Sequence, residues 1–170
     1  FSMSPYMNEI ADIYMDEKHL NDVRELRNLL EGEAMRIAVS VSTEEERDEL
    51  RQCYELYEEK RSQLKADVDN ERLMDELAEA DFEFHHQVIR MSHNDLYTDI
   101  YLMTKKAIVS HIRELLESRI RKEIEWEEKS GKREDEHVEI INGICNGDIE
   151  ALKRARERML KIQLIPALDE

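Results

Sequence analysis

Proline and glycine are scarce in this chain, and their scarcity settles the fold class first. The two prolines, Pro5 and Pro166, stand near the two ends, and the four glycines are Gly32, Gly131, Gly143 and Gly147. Long runs of Glu, Leu, Arg, Lys and Ala between so few breaks exclude the turn-rich patterning of a β-sandwich and argue for helix throughout. The two cysteines, Cys53 and Cys145, stand alone, without metal or redox spacing, and read as buried reduced thiols. No stretch of about 18 apolar residues occurs, so no membrane span is expected. No signal-peptide pattern is visible either. These absences point to a cytoplasmic protein. There is no glycine-rich phosphate loop, no Gly-x-Ser-x-Gly and no cysteine with a catalytic neighbour pattern, so the residues offer no nucleophile with a credible base. A non-enzyme is the expectation.

Basic residues are also in deficit. Against 41 acidic side chains stand 25 lysines and arginines, a net charge of −16. DNA binding depends on cations that replace counterions on phosphates. Most of this surface would repel DNA, and any contact with it falls to another segment. The 41% of hydrophobic residues is enough for a core in a chain of 170 residues.

The apolar periodicity predicts an antiparallel helical bundle of about six or seven helices. A short helix is expected from about Pro5 to Lys18. A second, capped by Asn21 or Asp22, runs to about Ser40, with Val23, Leu30, Ala34, Ile37, Val41 and also Arg27 on its inner stripe. Ser42-Thr43-Glu44-Glu45-Glu46 is a capping signal, and a third helix follows from about Thr43 to Lys65, burying Leu50, Tyr54, Tyr57 and Leu64. Asp69-Asn70 starts a fourth, which ends near Ser92. Asn94-Asp95 starts a long fifth, reaching Glu128, with Ile100, Thr104, Ile108, His111 and Leu115 inward. After the loop Lys129–Lys132, a sixth covers about Arg133 to Cys145. Asn146-Gly147-Asp148 stops it and caps the last, which buries Ile149, Leu152, Ala155, Met159 and Ile162.

Within the fourth helix, Leu73, Leu77, Phe84, Val88 and Met91 make an apolar stripe that Asp81 and His85 interrupt, four residues apart on one face. Polar groups on a core-facing stripe cost free energy unless something inside partners them. Two readings stay open: two ligands for one divalent metal, or a neutral histidine bonded to its own helix neighbour. His86 is expected at the surface, as are His93 and His19. His137 begins the face made by Ile140, Ile141 and Ile144, and joins the pair only if the fourth and sixth helices meet. Arg27 needs a buried anion, either Glu31 or the carboxylate of a ligand.

Three segments then resemble one known family. Asp22-Val-Arg-Glu-Leu-Arg-Asn-Leu-Leu-Glu31, Asp81-Phe-Glu-Phe-His85 followed by Asn94, and Glu136-His137 through Ile141 followed by Asn-Gly-Asp148 and Ala151 are similar, in order and spacing, to the C-terminal effector-binding (FCD) domain of the FadR subgroup of GntR-superfamily bacterial transcriptional regulators. The resemblance implies a central cavity for a small carboxylate effector, an organic or sugar acid, with Arg27, His111 and Asn94 as effector contacts. It implies a divalent metal, zinc, nickel or manganese, on Asp81, His85 and His137. The fourth ligand histidine of metal-binding relatives falls on Met159 here. It implies a homodimer as well, with DNA bound through a separate N-terminal winged-helix head that is not in this sequence. Residues 1–18 would be the lead-in from that head, and 19–170 the effector-binding and dimerisation domain. A metal-dependent enzyme in a helical bundle and a purely structural dimerisation module are the competing readings.

Overall fold

The computed structural model describes residue 14, residues 16–132 and residues 135–168, with side chains as far as residue 159 apart from that of Glu17. Among these residues there are seven α-helices and no strand: α1 (Leu20–Val41), α2 (Glu44–Ala66), α3 (Glu71–Met91), α4 (Asp95–Met103), α5 (Lys105–Ser130), α6 (Glu136–Asn146) and α7 (Ile149–Leu168). The lead-in helix expected from Pro5 lies almost wholly outside the described residues, and its end is a short 3-10 turn, Glu17–His19. No helix among the described residues is long and apolar enough to cross a membrane.

Most boundaries follow from local chemistry. Thr43 Oγ1 accepts the Glu46 N–H at 3.2 Å while Glu46 Oε1 accepts the Thr43 N–H at 2.8 Å, a reciprocal cap that starts α2. Asn70, Asn94, Asp135 and Asp148 each accept a backbone N–H two or three residues on, at the starts of α3, α4, α6 and α7. Gly131 and Gly147, with φ of 67° and 70°, end α5 and α6 in the left-handed region that glycine enters without a side-chain clash. The start of α1 departs from expectation. His19 precedes it without a side-chain cap, and Asn21 and Asp22 lie within the helix.

A second departure divides the long fifth helix in two. The Thr104 hydroxyl donates to Ile100 O (2.9 Å) and Tyr101 O (3.1 Å), and the backbone leaves helical geometry at that residue. A threonine hydroxyl that competes for carbonyls of the preceding turn bends or breaks a helix. Beyond it, α5 packs along α3.

Helix α3 is the axis of the bundle. It contacts α1, α2, α4 and α5, and 13 of its 21 residues are buried. Its first half keeps a polar stripe of Glu71, Asp75 and Glu79 toward solvent, but residues 84–89 are buried all round. His86 is accordingly 5% exposed rather than at the surface, stacked among Phe82 and Tyr101. Val41 and Ile149, expected inward, are exposed at their helix ends. Cys53 and Cys145 are free and half-buried. The apolar interior has two parts, one around Phe82, Phe84, Ile89, Tyr101 and Ile108, the other around Tyr57, Leu64, Leu77 and Ile120; Tyr54 and Leu116 touch both.

Helices α6 and α7 close on each other through Gly143. A Cβ there would overlap the Leu152 side chain. Gly143→Ala is therefore expected to cost about 1–3 kcal/mol through overpacking. Denaturant melts should show that loss, and Leu152→Ala in the same chain should recover part of it.

Candidate metal and effector site

The two polar residues of α3 meet α6. Asp81 Oδ1 lies 3.1 Å from His85 Nε2 and 2.7 Å from His137 Nε2. One ligand atom from each of the three residues falls within 4.8 Å of the others, so the fourth and sixth predicted helices do meet at this point. The Asp81 side chain keeps 14% exposure, and the two imidazoles 4% and 5%.

The far side of each imidazole is held by another carboxylate. His85 Nδ1 is 2.8 Å from Glu31 Oε1 on α1, and His137 Nδ1 is 2.8 Å from Asp135 Oδ1, the residue that caps α6. A proton on each Nδ1 turned to its carboxylate leaves both Nε2 atoms facing Asp81. Carboxylates behind histidine ligands fix tautomer and ring orientation in this way at metal sites. Two rings complete the support: His137 lies 4.2 Å from the Tyr57 ring centroid and 4.7 Å from that of Phe84. The Tyr54 hydroxyl donates to Asp135 Oδ2 at 3.0 Å.

At the other end of the chain of contacts, Arg27 gives its fork to Glu31, Nε to Oε2 at 2.9 Å and Nη2 to Oε1 at 3.2 Å. Its third nitrogen, Nη1, is 3.1 Å from His111 Nδ1. Arg27, Glu31, His85, Asp81, His137 and Asp135 thus form one buried line of alternating charge. Burial drives the Glu31 carboxyl up, but Arg27 and His85 more than offset it and hold it at about 2. Burial alone would discharge the two imidazoles. Glu31 and Asp81 instead raise His85 to about 9, and Asp81 and Asp135 raise His137 to about 10. Asp81 is held well below its usual range despite burial, by those same two histidines. With both imidazoles protonated, three cations face three anions.

A pocket of about 110 Å³ opens over this line. Arg27, Glu31, Asp81, His85, His111, His137 and Met159 line it, as do Arg24, Arg119 and the apolar Ile112, Leu115 and Leu116. Met159 therefore borders the three candidate ligands, but a thioether is a poor partner for zinc, nickel or manganese. His111 does not replace it, because its two nitrogens face Arg27 and Arg24. Asn94 is elsewhere, accepting the Tyr97 N–H at the start of α4 at 3.1 Å. His93 stays at the surface against Glu46, and His19 against Asp16.

Sequence reasoning missed Asp135, Arg24 and Arg119. A carboxylate two residues before His137 was a readable signal. Arg24 lies one turn before Arg27, and Arg119 continues the line His111, Leu115 along α5, so extending both stripes by a turn would have found them.

The donor set fits a divalent cation: two aligned imidazoles, one carboxylate and a rigid outer shell. Residues 22–161 match the family model described as FCD domain. Neither the comparison with curated proteins nor that with solved structures gives a match.

The metal-free protein carries a pH signature. His85 and His137 have folded pKa values near 9 and 10, above the ordinary value of ~6.5, so their contribution is complete below about pH 6.5 and lost as pH rises through 9 to 10. Chelator-treated protein should melt at progressively lower temperature from pH 7 to pH 10. His85→Gln/His137→Gln should start lower and lack this part of the slope, whereas a wild-type profile as flat as the variant's would mean that the imidazoles are already neutral.

Proposed function

The chain belongs to the FCD-domain family, the C-terminal effector-binding domain of GntR-family transcriptional regulators, and on that premise we propose that it senses a small carboxylate effector through a divalent metal held by Asp81, His85 and His137. FCD is a regulatory domain family and not a family of enzymes. The observation that carries the reading is the pair of Nε2 atoms directed at Asp81 and backed by Glu31 and Asp135.

The chain's own residues supply the rest. Glu31 and Asp135 hold the ligand rings in register, and Tyr57 and Phe84 keep water from their faces. A bound divalent ion would offer its open positions to an effector carboxylate. Replacing two imidazolium protons by one such ion conserves the total charge of the buried line, so loading requires no new counter-charge. Arg27 stands next to this centre and braces Glu31 within α1, and the Glu31 contact with His85 couples the site to that helix.

The sensor works, in this reading, as a homodimer beside a DNA-binding head outside this sequence. The acidic surface fits that division of labour. Binding changes the geometry of the heads to the extent that the effector prefers one dimer arrangement over another.

Metal analysis of protein purified without chelator should find about one zinc, nickel or manganese ion per chain, and Asp81→Ala should lose it. Absence of any divalent ion from the wild type overturns the metal half of the reading. Met159→His, which returns an imidazole to the pocket wall, should tighten metal binding in a competition titration. A thermal-shift screen of hydroxy and sugar acids tests the sensor half. A true effector at about 100 times its dissociation constant adds about 2.7 kcal/mol, a rise of roughly 5–10 °C for a domain of this size. A screen in which no acid raises the melting temperature counts against carboxylate sensing.

A further inference from the structure

The proposed metal centre accounts for one side of the pocket. Its other side carries the arginines Arg24 and Arg119 and the buried His111, with the acids Glu123 and Glu136 also on the pocket wall. His111 on α5 is 2% exposed and lies between two guanidiniums of α1: Arg27 Nη1 at 3.1 Å from Nδ1 and Arg24 Nε at 3.5 Å from Nε2. A neutral imidazole has one acceptor nitrogen, and an imidazolium has none. Two N–H donors therefore face a ring that can accept from one of them. Burial and the charges of Arg27 and Arg24 together hold His111 neutral, with its pKa near 3. Whichever tautomer it adopts, one guanidinium N–H meets a ring N–H.

Arg27 has a partner in Glu31, whereas Arg24 has none. Among the described residues Arg24 makes no ion pair, and its one hydrogen bond is the long contact to His111. Arg119, half-buried on the same pocket wall, makes neither an ion pair nor a hydrogen bond among the described residues. The acid one turn along from it, Glu123, also lines the pocket and lies 3.9 Å from Arg61, with no ion pair to Arg119. Glu31 and Asp81, the nearest buried acids, are committed to Arg27, His85 and His137. Arg24 and Arg119, half-exposed on the pocket wall, thus keep guanidinium donors that no protein carboxylate fills, and His111 offers Arg27 and Arg24 one acceptor between them.

We propose that Arg24, His111 and Arg119 form a second anion subsite, so that the effector carries two anionic groups, one for the metal side and one, a carboxylate or a phosphate, for this side. The inference rests on the carboxylate-sensor reading above and adds the class of effector to it. The two subsites are separated by the Arg27–Glu31 pair, which stands between His85 and His111 in the chain of contacts. The apolar wall of Ile112, Leu115 and Leu116 suits the carbon skeleton between the two charged ends. An oxyanion at Arg24 takes its N–H, and the His111 ring then donates from Nε2 while Arg27 keeps Nδ1. Each donor acquires an acceptor.

The test compares matched probes on the metal-loaded chain by calorimetric titration: succinate against butyrate, and phosphoglycolate against glycolate. The dianion of at least one pair should bind about ten- to a hundred-fold tighter than its monoanion, the range of one or two charge-assisted hydrogen bonds. Which pair shows the advantage identifies the second group as carboxylate or phosphate. Arg24→Gln/Arg119→Gln should remove the advantage, weakening the dianion far more than the monoanion. Both residues are half-exposed, and an unchanged melting temperature of the unliganded variant would show that it is folded. Equal binding of dianion and monoanion in both pairs, or an advantage that survives in the variant, overturns this proposal and leaves the sensor reading standing. Failure of all four probes to bind overturns the sensor reading itself, and this one with it.

Discussion

The structure turns on the cost of placing Asp81 and His85 inside its central helix. Isolated, either group would be neutralised or expelled by the apolar interior. What keeps them is a run of partners drawn from three other helices and a turn: Glu31 and Arg27 from α1, His137 from α6, Asp135 from the turn before α6 and Tyr54 from α2. Breaking such a line at one place strands the next charge, a loss of about 3–5 kcal/mol for a buried pair. The line is therefore a constraint on how four helices sit, as well as a site.

The helix ends bear this out. Asp135 caps α6 with one carboxylate oxygen and orients His137 with the same atom, so the start of the helix and the aim of its histidine are one event. Thr104 divides α4 from α5, and α5, packed along α3, sets His111 against Arg27. The polar line sits where the two apolar clusters meet, with Tyr54 and Leu116 touching both. Polar groups between two dry cores are fixed in position by packing on either side. A binding site needs that fixity.

Short-range chemistry was readable from the sequence, and long-range geometry only where it left a mark. The caps at Thr43, Asn70, Asn94 and Asp148 and the stops at Gly131 and Gly147 depend on residues within one turn, and all are as expected. Asp81 and His85 were visible because they break an apolar stripe. His137 needed the resemblance to the FCD family to become their partner, since nothing in a single helix says which other helix it meets. His86 continues the line of Glu79 and Glu83, so the one-wet-face rule puts it at the surface, yet residues 84–89 of α3 are buried all round. The division at Thr104 was invisible because a threonine on an inner stripe is compatible with an unbroken helix. Asp135, Arg24 and Arg119 were missed because acids and arginines near helix starts and on half-exposed faces are ordinarily solvated.

A sensor must also transmit, and the same line of charges gives the route. Arg27 and Glu31 belong to α1, which packs against α3, α5, α6 and α7. Any anionic ligand that draws on the donors of His85, His111 or Arg27 changes what α1 gains from its position against α3 and α5. Apolar packing in this bundle is close and tolerates little sliding. A change in the polar line is then answered by a shift of whole helices rather than by local relaxation. Such shifts are the currency of switching between discrete arrangements. In the two-anion reading, Arg24 and His111 stand on α1 and α5, so a ligand bound between them gains differential affinity for the arrangement of those two helices that suits it. Differential affinity of that kind is the condition for any effect at a distance.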